Sequence, residues 1–380
     1  MRKVPELRFA GFDGEWEEKK LSDLGKISAG GDVDKKKIKN EGKYPVIANG
    51  DSNNGIVGYY DDYYKISEPS VTISARGNIG TAVARNYPFT PVIRLLTFIS
   101  ENNIYFMSEV INRLRIFNES SGVPQLTSPQ FGTYKIFITK LSEQEQIGNL
   151  FRKLDDLIEI QEGKVAKMED LKKSMLQKMF PKKDELVPEF RFDGFDGEWK
   201  KRKFRDIYKT YESGNRLPKS LLKEGSIPYV LAKTTNNGIY MRIDKDTLDY
   251  SGNPMKLFKP NSITFSIDNP EAVFIQNEPF YTSNIMRVFY NENHTKPQTI
   301  FYKLQFEKNT RGFDWGIKFS GPVALDSKLF VPFKNNEIDV IEIEKIGNFF
   351  KNLDTQIENE ERLLDSYKMM KKSLLQKMFV

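Results

Sequence analysis

The chain has 380 residues, of which 39% are hydrophobic and 13% aromatic, enough for two cores of ordinary domain size and too apolar for a disordered chain. It contains no cysteine, which excludes disulfides and thiolate metal sites and leads us to expect a reducing, cytoplasmic setting. No apolar stretch follows the basic start MRKVPELRF or reaches the ~18 residues a membrane span needs, and the net charge of +6 suits a nucleic-acid partner without requiring one.

The chain opens on Val4-Pro5-Glu6-Leu7-Arg8-Phe9, followed by GFDGEW at 11–16. Val187-Pro188-Glu189-Phe190-Arg191-Phe192 and a second GFDGEW at 194–199 repeat both at an offset of 183 (194 minus 11). This is an internal duplication. In each copy two glycines flank a phenylalanine, Phe12 or Phe195, and Trp16 and Trp199 read as aromatic anchors beneath an N-terminal arm. The offset holds without a gap to YPVIANGDSNNGI (44–56) against IPYVLAKTTNNGI (227–239). Asn53-Asn54-Gly55 and Asn236-Asn237-Gly238 there lie between β-type runs, a hairpin signal because Asn-Gly accepts φ > 0. SVTIS (70–74) answers SITFS (262–266), and the copies then diverge. Short β-rich runs such as SVTIS, YKIFIT and KLFVPF, with a short helix over 104–117, make each middle mixed α/β (α+β).

From Ser142 the pattern becomes helical. Phe151, Leu154, Ile158, Val165, Met168, Met175 and Met179 keep the 3,4 spacing of a coiled-coil seam, and Phe350, Leu353, Ile357, Leu364, Tyr367, Leu374 and Met378 repeat it. Ser142-Glu143-Gln144-Glu145 reads as a capping box opening a helix over 142–179, about 57 Å long, and Pro181 stops it. QIGNLFRKLDDLI (146–158) answers KIGNFFKNLDTQI (345–357), and KSMLQKMF (173–180) answers KSLLQKMF (372–379), now at an offset of 199. Each copy thus has a fixed beginning, a variable middle and a fixed end, the second middle being longer by 199 − 183 = 16 residues. Neither amphipathic helix can bury its seam against solvent, so the two are expected to pair, antiparallel about a pseudo-twofold axis. Gln161 and Glu360 are equivalent polar breaks in the two seams, a device that fixes register at a cost in stability. The expected organisation is a first recognition domain over 1–140, a central long helix over 141–183, a second domain over 184–337 and a C-terminal long helix over 338–380.

A catalytic centre is not legible. His294, the only histidine, lies in the polar loop NENHTKP, which leaves no Ser-His-Asp triad beyond that residue and disfavours zinc. No phosphate-binding glycine loop occurs, nor the Asn/Asp-Pro-Pro-aromatic motif of amino-group methyltransferases. Of the nuclease-like Glu-x-Lys triplets, Glu162-Gly163-Lys164 lies on the long helix and Glu198-Trp199-Lys200 becomes Glu15-Trp16-Glu17 in the other copy; Glu41-Gly42-Lys43 stands alone. Recognition remains. Candidate DNA-facing residues are Lys35, Lys36, Lys37, Asn53, Asn54, Arg76, Gln125 and Gln130 in the first copy, and Arg216, Lys219, Lys233, Asn236 and Asn237 in the second. Arg and Lys read guanine and Asn and Gln read adenine in the major groove, while lysine clusters more often meet phosphates. The plainer readings stand beside these: the Asn pairs as turns, Lys35–Lys37 as a solvated face.

Taken together, VPELRF…GEW with VPEFRF…GEW, the ISARGNIGTAV segment, GVPQLTSPQFGTYKIFITKLSEQEQIGNLFRKLDDLI running from domain into helix, and the paired LQKMF endings resemble the specificity (S) subunit of Type I restriction-modification systems over essentially the whole chain. The second copy departs where GFDWGIKFSGPVALDSKLFVPF places Leu325 in the position of Leu126 and offers no match for Gln125. The resemblance implies a non-catalytic chain whose two domains each read half of an asymmetric bipartite site in double-stranded DNA, with the paired helices setting the gap. It implies two modification subunits that carry S-adenosylmethionine, methylate adenine and do any base flipping, and restriction subunits that use ATP and Mg to translocate and cut. No cofactor is expected on this chain. A two-domain assembly adaptor and a stand-alone DNA-binding regulator are the rival readings; the adaptor has no use for two different recognition faces, and no helix-turn-helix pattern supports the regulator.

Overall fold

A computed structural model describes residues 3–50, 52–116, 125–182, 184–314 and 319–380. The chain divides into two compact units, Met1–Gly163 with Glu361–Val380, and Lys164–Glu360.

The first unit holds a four-stranded antiparallel sheet in the order Gly25–Ala29, Leu96–Ser100, Ser70–Ile73, Ala82–Arg85, and a three-stranded sheet in the order Ile56–Tyr60, Tyr44–Ile47, Thr90–Pro91. The second unit repeats this wiring with Glu212–Ser213, Met286–Phe289, Ser262–Ser266, Val273–Gln276 and with Ile239–Ile243, Glu224–Val230, Tyr281–Thr282. The middles that diverge in sequence therefore keep one topology. The Asn-Asn-Gly segments close antiparallel hairpins in both units, with φ near +50° at both asparagines of each. These are not tight two-residue turns: the closing bonds run from Ala48 N to Gly55 O and from Leu231 N to Gly238 O, each 2.8 Å.

The fixed beginnings and ends meet. In the first unit Trp16 is buried against Phe106 and Phe379, with ring centroids 5.6 and 6.0 Å away, and Leu7 N donates to Lys377 O at 2.9 Å. In the second, Trp199 packs on Phe301 and Phe180 at 5.7 and 6.1 Å, and Phe190 N donates to Lys178 O at 2.9 Å. Each unit is thus closed by the arm and helix start of one copy and the helix end of the other. The repeated GFDG has a backbone cause: Gly11, Gly14, Gly194 and Gly197 all adopt φ between +78° and +90°, where a side chain is strained although nothing fills the space beside them.

The long helices run Leu141–Lys178 and Val340–Met378. Phe151, Leu154, Val165, Phe350, Leu353, Ile357, Met179 and Met378 are buried; Ile158, Met168, Met175, Leu364, Tyr367 and Leu374 are half-buried. The helices run antiparallel within each unit, as ion pairs between them show: Asp155 with Lys371 at 2.6 Å and Glu162 with Lys368 at 2.7 Å in the first, Lys164 with Glu360 and Lys172 with Asp354, both 2.6 Å, in the second. Gln161 is buried. The expected capping box does not open the first helix, which begins one residue earlier. Glu143 instead turns into the domain to bind Arg8, and Gln144 donates to Thr139 O and Asn102 Oδ1.

Two further expectations are corrected. The short helix expected over 104–117 spans Ile104–Asn112, with Asn103 accepting from Tyr105 N and Phe106 N; Phe117 lies outside the described residues. Strand register equates Lys135 with Lys328, so the place of buried Leu126 is taken by buried Phe319, and Leu325 stands where Gly132 does. The residue equivalent to Gln125 is then 318, outside the described residues. His294 does lie in a loop, where it is half-buried with its ring 5.0 Å from that of Tyr302 and 5.3 Å from that of Tyr208.

Candidate nucleic-acid interface

In the first unit several loops are tied together at the Asn53-Asn54 hairpin end. Asn49 Oδ1 accepts from Ala75 N at 2.7 Å, and Ala75 O accepts from Leu126 N at 3.0 Å. This holds the hairpin loop, the loop bearing Arg76 and the segment bearing Gln125 to one another. Arg76 is half-buried, and its Nε is buried without a hydrogen-bond partner among the described residues. Arg94 Nη1 donates to Gln125 Oε1 at 2.6 Å from a backbone at φ +73°, a conformation a non-glycine residue rarely holds. The candidates Asn53, Asn54, Arg76 and Gln125 are therefore brought together, with Arg94 added. Gln130 lies half-buried on the short helix Ser128–Gly132.

Lys35–Lys37 form an exposed single turn capped by Asp34, whose carboxylate accepts from Lys36 N at 3.0 Å. Lys37 shares a surface hollow with Asp32, Asp34 and Asp62, acids that offset its charge toward a phosphate.

In the second unit Asn236 and Asn237 head the matching hairpin, and Asn269 Nδ2 donates to Ala232 O at 3.2 Å, tying another loop to it. Lys233 lies 5.3 Å over the Tyr240 ring and Arg216 4.8 Å over the Tyr250 ring, contacts that hold long cationic side chains in place at an exposed surface. Lys219 is exposed on the short turn Lys219–Leu221.

Sequence reasoning missed Arg94. Arg94 had one visible signal, a charge interrupting the apolar run PVIRLLTF. The Glu-x-Lys triplet on the first long helix is spent on structure: Glu162 pairs with Lys368 and Lys164 with Glu360. Among the described residues no group of three or more His, Asp or Glu could hold a metal, and no helix is long and apolar enough to cross a membrane.

The Type I restriction modification DNA specificity domain matches this sequence twice, over residues 13–170 and 196–366. The chain belongs to that family. Each unit carries most of one specificity domain, with the helix end of the other copy closing it. A Mycoplasma pneumoniae chain named for a type I specificity subunit is 35% identical over 134 residues, covering 34% of this chain and 37% of that one. A second from the same organism is 31% identical over 169 residues, covering 42% and 50%. The alignments thus span half or less of these relatives. The crystal structure of the S subunit of a Type I restriction-modification system from M. genitalium superposes with a TM-score of 0.74 over 99% of both chains; at 16% identity, what the two share is the fold.

Proposed function

We propose that this chain is the non-catalytic DNA-specificity subunit of a Type I restriction-modification complex. Each specificity domain reads one half of an asymmetric bipartite site in double-stranded DNA, and the paired long helices set the gap between the halves. The proposed organisation is one domain over 1–140 and a second over 184–337, with long helices over 141–183 and 338–380. The observation that carries this is one sheet topology present twice, with different residues on equivalent loops: Arg76, Arg94 and Gln125 around one hairpin end, Lys233 and Asn269 around the other. An identical scaffold with unlike loops suits two different half-sites read by the same docking geometry. Two adenine-modification subunits bringing S-adenosylmethionine, and restriction subunits using ATP and Mg, supply the chemistry in the cytoplasm, and this chain supplies none.

The test is co-expression with a modification subunit in a methylation-free host, with N6-methyladenine mapped by long-read sequencing. Methylation confined to one asymmetric bipartite motif, and absent with the modification subunit alone, is the expected result. A complex that forms but methylates no such motif, or no complex at all, would overturn the reading.

A further inference from the structure

Beneath each Asn-Asn-Gly turn lies a buried polar side chain, of a different residue type in the two units. In the first unit Arg85, the last residue of the strand Ala82–Arg85, donates from Nη2 to Asn54 O at 2.6 Å and from Nε to Thr72 Oγ1 at 3.2 Å. In the second, Gln276, the last residue of Val273–Gln276, donates from Nε2 to Asn237 O at 3.0 Å and to Thr264 Oγ1 at 3.2 Å. Arg85 faces Ser70 across its ladder and Gln276 faces Ser262, so the two are structural equivalents, as Thr72 and Thr264 are. Both donors are 3% exposed.

We infer that Arg85 and Gln276 are positioning residues of the two DNA-reading hairpins, an inference that rests on the proposed function. Two consecutive asparagines at φ near +50° form an unfavourable turn that something must hold. The clamp takes the inward carbonyl of the second asparagine, anchors itself on a threonine of the neighbouring strand, and leaves the Asn53, Asn54, Asn236 and Asn237 side chains exposed. Stability alone does not account for it. Among the described residues the hydrogen-bond partners of Arg85, namely Thr72 Oγ1, Tyr87 OH and Asn54 O, are all neutral, and burying a guanidinium among neutral groups is costly. A carboxamide does the same task in the other unit. What the two share is the fixed turn, and a turn ordered before DNA arrives avoids the entropy of ordering it on binding.

The test uses the full chain in complex with its modification subunits, measuring methylation rates on the cognate duplex and on duplexes with single substitutions in either half-site. Arg85→Ala is expected to reduce cognate-over-mismatch discrimination about 5- to 100-fold in one half-site only, and Gln276→Ala in the other only. Arg85→Gln, which installs the second unit's own clamp, should restore discrimination. Thr72→Val and Thr264→Val, near-isosteric and gentler on folding, should give smaller losses in the same respective halves. Unchanged discrimination in Arg85→Ala, Gln276→Ala, Thr72→Val and Thr264→Val alike, a loss falling equally on both halves, or no rescue by Arg85→Gln would overturn the inference. Absence of any bipartite preference in the unmodified complex would instead sink the proposed function, a separate and distinguishable failure.

Discussion

Arg8 and Glu143, 135 residues apart in sequence, meet in a two-point ion pair of 2.6 and 2.8 Å, and Arg191 and Glu342 repeat it with two contacts of 2.7 Å. Each arginine also donates at 2.6 Å to the carbonyl of the second GFDG glycine, Gly14 or Gly197. Both glutamate side chains are fully buried at the start of a long helix. The pair therefore fastens each N-terminal arm to the helix that follows its own domain. The Glu143 bond holds the guanidinium of Arg8 above its ordinary pKa despite partial burial; burial raises the Glu342 carboxyl even though Arg191 pulls it down.

Removing one partner of such a pair leaves an uncompensated buried charge. Arg8→Leu is expected to destabilise the first unit by about 3–5 kcal/mol, and Arg8→Leu with Glu143→Leu by distinctly less, because the double variant strands no ion. Urea titration of both variants checks this. A loss below ~1 kcal/mol for the single variant would mean the arm is held by Trp16 packing alone.

Acid is expected to weaken the second unit through His294. Asn291 Nδ2 lies 3.0 Å from its Nε2 and also donates to Ile207 O, so that ring nitrogen accepts and the ring is neutral. Burial holds its pKa down at about 4, against an ordinary 6.5. The unfolded chain then takes up the proton first, so this contribution is whole above pH 6.5 and is lost as pH falls towards 4. The loss should be about 1–2 kcal/mol, partial exposure screening the rest. Denaturation midpoints at pH 7 and pH 5 should converge for His294→Phe relative to the native chain; an unchanged pH slope would contradict a neutral buried imidazole.

Gly163 lies inside the first long helix, and a methyl group there meets nothing within 4 Å. Gly163→Ala should raise stability by about 1 kcal/mol by urea titration. No gain would show that the helix needs backbone freedom at that point.

Gln161 is buried, whereas Glu360 reaches Lys164 at 2.6 Å, so the two polar seam positions are not alike in surroundings. Gln161→Leu with Glu360→Leu is expected to raise stability while admitting alternative pairings, seen as mixed cross-links between cysteines introduced at positions 155 and 371 or as changed mass by light scattering. Greater stability with register and mass unchanged would remove the register role.

The repeats made the arms and long helices legible, because their residues recur in identical order and with the spacing of a seam. The shared topology of the middles was not legible. Short strands such as Ser70–Ile73 and Ser262–Ser266 carry a period but no record of their partners. The helix offset of 199 equates Leu325 with Leu126, but it does not hold across the hairpin Phe333–Lys334 with Glu337–Ile338, which among the described residues has no counterpart in the first unit. Arg85 and Gln276 were invisible for a simpler reason: they do the same work with different residue types. Lys35–Lys37 stood out by composition, and the three aspartates around Lys37 became visible only once the chain was folded.

The most direct measurement inserts one heptad into each long helix, at 163 and at 360, and maps methylation again. Seven residues add about 10 Å, or roughly three base pairs. Both half-site sequences should persist while the gap between them widens by about three base pairs. A gap that stays the same, or half-sites that change sequence, would contradict a chain in which two specificity domains read and two helices measure.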